Sequence, residues 1–138
     1  MKNITLLLIV LYIISCGGNS NKTAAKLLDD GMKYRSENKL KESITSFKNI
    51  LEYYPSNNFA AEAQFQIADI YLNDVKDFDF AVNEFQKVVD LYPNHEVSKK
   101  SLFMIAYIFN NYLNAYSDAI ITYKLFKNNL SVVFEFFL

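Results

Sequence analysis

A period of 38 residues runs through most of this chain and limits what it can fold into. Leu40, Phe78 and Tyr116 are 38 apart, as are Ser43, Ala81 and Ala119, and again Phe47, Phe85 and Tyr123. Tyr54-Pro55 returns as Tyr92-Pro93. Upstream in each unit a small residue precedes an aromatic by three: Gly31 and Tyr34, Ala68 and Tyr71, Ala106 and Phe109. A chain built this way stacks like units, because one unit of this size buries only part of its apolar surface.

Each unit reads as two amphipathic helices, with apolar residues recurring at steps of three and four. The first helices are predicted over 24–34, 65–72 and 102–112, the second over 40–53, 78–91 and 116–126. Asn38-Lys39, the stretch from Asp74 to Asp77, and Asn114-Ala115 mark the turns. Pro55 and Pro93 end second helices, since proline disfavours helical geometry in the residue before it. Gly31, Ala68 and Ala106 are small where a first helix crosses its partner, and Ser43, Ala81 and Ala119 are small on the facing helix; bulk there would push the axes beyond the usual 8–10 Å. Phe47, Phe85 and Tyr123 are expected to fill the gap between one pair and the next.

This pattern resembles the tetratricopeptide repeat (TPR). The family's small, aromatic, small, aromatic and proline positions fall on Gly31, Tyr34, Ser43, Phe47 and Pro55, then on Ala68, Tyr71, Ala81, Phe85 and Pro93, with one extra residue between helices in the second unit. The third unit carries Ala106, Phe109, Ala119 and Tyr123 without the proline. The family's leading Trp is absent, and 38 exceeds its usual 34 residues. The resemblance covers residues 22–127 and implies an all-α, TPR-type solenoid of about three antiparallel helix pairs. It also implies a groove lined by first helices, whose positions transfer to Met32, Arg35, Asp69, Asn73, Tyr107, Asn110 and Asn111. Arg35 suits a carboxylate, and the asparagines suit a peptide backbone. Solvated helix faces are the alternative for these residues.

After Phe126 the register fails, and Leu130-Ser131 replaces the expected Tyr-Pro. Residues 128–138 are read as an irregular apolar tail. A truncated or frameshifted product, an unusual cap and a partner-binding tail all fit, and an unshielded last pair predicts self-association.

The N-terminus reads as an address. Lys2, an apolar run to Ile14 and the small residues around Cys16 have the order of a secretory signal. The run of about 12 apolar residues is short of the roughly 20 needed to span a bilayer. Ile13-Ile14-Ser15-Cys16 resembles the lipobox of bacterial lipoproteins, which implies cleavage after residue 15 and acylation of Cys16, the chain's one cysteine. Residues 16–21 then form a small, polar tether. Position 17 is Gly, not the Asp that retains enterobacterial lipoproteins at the inner membrane, so the resemblance implies the periplasmic side of the outer membrane.

Lipobox and long-period repeats together resemble the envelope group that includes the barrel-assembly lipoprotein BamD, and also the periplasmic TPR domain of the Tol-Pal-associated coordinator YbgF. Either implies a scaffold for envelope proteins or peptide segments. BamD-type members usually carry about five repeats, and this chain has three at most. An accessory ligand-binding lipoprotein is a further reading.

With 14 basic and 15 acidic residues the chain lacks the basic surplus that nucleic acid demands. His95, the one histidine, follows Pro93-Asn94 in a turn. Asp29-Asp30 and the Asp74, Asp77 and Asp79 group lack the spacing of a calcium loop. No phosphate-binding glycine loop or Ser-His-Asp set can be assembled. The expectation is a non-enzyme without cofactor or metal.

Overall fold

The structure is a computed structural model that describes residues 23–135, with side chains to residue 128. It is all-α and TPR-like. Among the described residues there are six α-helices: α1 over 23–36, α2 Leu40–Tyr53, α3 Asn58–Ile70, α4 Phe78–Leu91, α5 Glu96–Asn111 and α6 Tyr116–Glu135. A π-helical turn, Tyr71–Val75, follows α3, and the described residues contain no strand. The described residues divide into two compact units, which part between Ala60 and Ala61.

The period seen in the sequence recurs in the backbone turns. Ahead of each second helix a non-glycine residue takes positive φ: Asn38 at 58°, Lys76 at 65° and Asn114 at 54°. The next residue's N–H closes the turn on the carbonyl of the aromatic that follows the small position by three: Lys39 to Tyr34 (2.9 Å), Asp77 to Tyr71 (3.0 Å) and Ala115 to Phe109 (2.9 Å). The second helices α2 and α4 end with Tyr54 donating to the Ile50 carbonyl and Tyr92 to the Val88 carbonyl. The links that follow are duplicates, Asn57 to Tyr54 and His95 to Tyr92, at 2.9 and 3.0 Å.

The extra residue between helices is visible as the π-helical turn, which widens the backbone ring to hold it. The third pair carries it too, since 106 and 116 are spaced like 68 and 78. There Leu113 N–H reaches back to Ile108 (3.2 Å) and the turn stays outside the helix.

In the first unit Ser43 Oγ donates to the Gly31 carbonyl at 2.8 Å across the pair. A Cβ on Gly31 would lie 2.5–2.9 Å from three ring atoms of the fully buried Phe47, so only glycine fits against that ring. In the second unit α3 and α4 run antiparallel: Gln64 meets Glu84, Phe65 meets Phe85, and Tyr71 meets Phe80. α5 packs against both α4 and α6.

Three expectations need correction. Phe47, Phe85 and Tyr123 do not serve only the gap between pairs, because each ring meets the first helix of its own pair. Phe85 lies edge-on to Phe65 (5.2 Å, 62°), and Tyr123 edge-on to Phe103 (6.0 Å, 61°). The cause is an aromatic three residues before the small position of α3 and α5. The later first helices also begin well before 65 and 102, because Asn57 and His95 cap them. Lastly, the backbone at 128–135 is helical rather than irregular. Neither Pro nor Gly stands between 127 and 135, and Ser131 occupies the position of Pro55 and Pro93, so nothing stops α6 where α2 and α4 stop.

Candidate functional site

The residues the repeat assigns to a groove lie on α1, α3 and α5. On α1, Met32 is exposed and Arg35 is half-buried. On α3 and its π-helical turn, Asn73 Nδ2 donates to Asp69 Oδ1 at 2.9 Å, so the amide is tied to a carboxylate one turn away. On α5, Asn111 Nδ2 donates to the Tyr107 carbonyl at 2.8 Å, while Asn110 is exposed. Asp69 and Tyr107 are 38 apart, as are Asn73 and Asn111, so the repeat places both asparagines alike and each bonds within its own segment. Each bond takes one of the two N–H donors of an amide that the sequence analysis assigned to a peptide.

Sequence reasoning named Tyr107 but missed Tyr112 beside it. Tyr107 meets Tyr112 edge-on (5.8 Å, 73°), and Tyr112 lies parallel to Phe78 of α4 (4.2 Å, 9°). A hydrogen bond with Tyr112, then that residue's charge and a slight desolvation, hold the Tyr107 phenol above its ordinary range. The outcome is an aromatic ledge at the C-terminal end of α5, with Tyr107 and Tyr112 exposed and the Asn110 amide beside them. The 34-residue step from Phe78 to Tyr112 lies outside the 38-residue period, which hides the pair from a repeat search.

The polar residues weighed for chemistry have structural duties. His95 Nδ1 accepts from Val97 N–H at 3.3 Å and caps α5. Asp77 Oδ1 accepts from Phe80 N–H at 3.0 Å and caps α4. Asp30 pairs with Lys26 at 2.8 Å. Glu84, 6% exposed, accepts from the buried Gln64 amide (2.7 Å) and from Lys87 Nζ (2.5 Å), which satisfies its carboxylate inside the second pair. A shallow cleft between α3 and α5 is lined by Glu62, Glu96, Val97 and Lys100, and Lys100 Nζ sits 4.4 Å from the centroid of the Phe65 ring. Among the described residues no three His, Cys, Asp or Glu side chains cluster as metal ligands, and no helix is long and apolar enough to cross a membrane. Cys16 and the signal at 1–15 lie outside the described residues.

The sequence profile of one family, described as SNAP, soluble NSF attachment protein, matches residues 14–131. No curated protein matches the chain at a significant level. The match spans the repeats and the helices that the structure builds from them, and the chain belongs to this family of helical-repeat proteins, the soluble NSF attachment protein family.

Proposed function

We propose that this protein is a non-catalytic scaffold, tethered by lipid on Cys16 to the periplasmic side of the outer membrane, which holds envelope proteins or peptide segments on its first helices in the manner of BamD. A helical-repeat fold supports the general role of binding protein partners. The observation that carries the reading is the ledge of Tyr107 and Tyr112 at the C-terminal end of α5, where both rings are exposed and Asn110 is exposed on the same helix. Recognition by exposed aromatic anchors with an amide on the same helix is chemistry suited to a peptide chain. The single cysteine at the end of a short apolar run supports the anchor, because two or more acyl chains hold a protein at a membrane where one alone is marginal.

The test is photo-crosslinking from Tyr107 in intact envelopes, in the parent chain and in Cys16→Ser. Adducts with barrel-assembly subunits are expected from the parent. Cys16→Ser should lose labelled palmitate, leave the membrane fraction and lose those adducts. Adducts with Tol-Pal components instead would replace the BamD-like role by the YbgF-like one. Unchanged palmitate labelling of Cys16→Ser would remove the anchor from the proposal.

A further inference from the structure

Equivalent positions in α4 and α6 show what the outer flank of α6 is shaped to receive. Phe78, Ala81, Phe85 and Val88 of α4 correspond to Tyr116, Ala119, Tyr123 and Phe126 of α6. In α4 this side is covered by α5. Phe85 and Val88 share a core with Ile105 and Ile108, and Phe78 stacks on Tyr112. In α6 Ala119 is buried and Tyr123 and Phe126 are half-buried, but the first turns of the corresponding flank are open. Tyr116 and Ile120 are 57% and 55% exposed, whereas Phe78 and Val82 are half-buried. On the adjoining first helix Phe103 is 42% exposed where its counterpart Phe65 is 2%.

We propose that the flank formed by Tyr116, Ile120 and Phe103 docks an amphipathic helix of a partner protein that carries the pattern of α5: apolar residues three apart and an aromatic four residues further on, as in Ile105, Ile108 and Tyr112. The repeat-to-repeat interface between α4 and α5 continues in register onto α6, and this sets the occupant's chemistry. A second copy stacked head-to-tail would have to present α1. There Asp30 and Lys33 stand at the positions of Ile105 and Ile108. Asp30 is paired with Lys26, and Lys33 lies 4.0 Å from Glu37. Burying these charges against Ile120 would cost their hydration without a partner across the interface. The occupant is therefore a helix that α1 does not supply. The proposal rests on the repeat geometry and is independent of the lipid anchor and of the envelope partner.

The probe is a fluorescein-labelled peptide of residues 94–115, titrated into the full chain and followed by anisotropy, with sedimentation velocity on the same samples. Saturable binding to a monomeric chain is expected. Ile120→Glu should weaken it about tenfold or more, the effect of removing one central apolar anchor. Ile121→Glu, at the position of the exposed Asn83, should change it less than about twofold. A peptide carrying Ile105→Glu should also fail to bind, and this variant leaves the chain untouched. Equal binding to Ile120→Glu overturns the proposal. So does a dimer that Ile120→Glu dissolves, since the flank would then be occupied by a second copy.

Discussion

α4 and α6 begin on equivalent residues and carry the same inward order, Ala81, Glu84 and Phe85 against Ala119, Thr122 and Tyr123, yet they meet their surroundings differently. α4 is capped by Asp77, shows Asn83 and Lys87 to solvent, and stops before Pro93. α6 follows Ala115, shows Ile121 and Leu125 at those two positions, and runs on to Glu135. The buried polar position differs as well. Glu84 reaches across to Gln64, whereas Thr122 Oγ1 returns to the Asp118 carbonyl of its own helix at 2.8 Å. The repeat therefore specifies the residues a pair turns toward itself. Caps, stops and outer faces vary with position in the array, because they answer to whatever neighbour or solvent lies beyond the pair.

The aromatic position should break the equivalence most strongly. Phe85→Ala is expected to lose about 3–5 kcal/mol, because the ring is fully buried against Phe65. Tyr123→Ala, half-buried and edge-on to Phe103, should lose less than half of that. Urea unfolding of the two variants gives both values; equal losses would mean that the third pair is as well covered as the second.

Capping gives the next largest contrast. Asp77→Ala should destabilise by about 1 kcal/mol, since the Phe80 N–H loses its acceptor. Ala115→Ser places an acceptor at the matching position and should raise stability by about 0.5–1 kcal/mol. Thermal melts by circular dichroism would register opposite shifts in midpoint. Shifts of the same sign would show that the two turns are not built alike.

The smallest effect is expected at the left-handed position. Asn38 and Asn114 tolerate positive φ through their short polar side chains, whereas Lys76 does not. Lys76→Gly should be neutral or stabilising by up to about 1 kcal/mol, with relief of backbone strain offset by the greater freedom of glycine in the unfolded chain. Asn114→Gly should give less. A clear loss on Lys76→Gly in denaturant unfolding would place the Lys76 side chain in contacts of its own.

The candidate site was legible in outline only. The repeat marks Asp69, Asn73, Tyr107 and Asn111 as equivalent first-helix positions, and the structure keeps that equivalence. It does not mark Tyr112, which joins the site through a ring stacked on Phe78 in a different helix, at a spacing the period does not contain. Nor does it reveal that the amides of Asn73 and Asn111 are held within their own segments, since a hydrogen bond of one turn competes locally with any ligand.

By itself the sequence determined the period, the all-α class and the start of each second helix at Leu40, Phe78 and Tyr116, because these follow from local signals: turn residues, apolar spacing and small residues at fixed offsets. It also set the ends of α2 and α4, where proline removes the backbone donor of the next turn. The tertiary structure decided which ring meets which, where an extra residue is stored and which flank stays bare. Phe65 and Phe103 hold the same place in the pattern and differ in exposure from 2% to 42%, and only the packing around each ring makes them differ. Burial is a property of neighbours in space, whereas a repeat encodes neighbours along the chain.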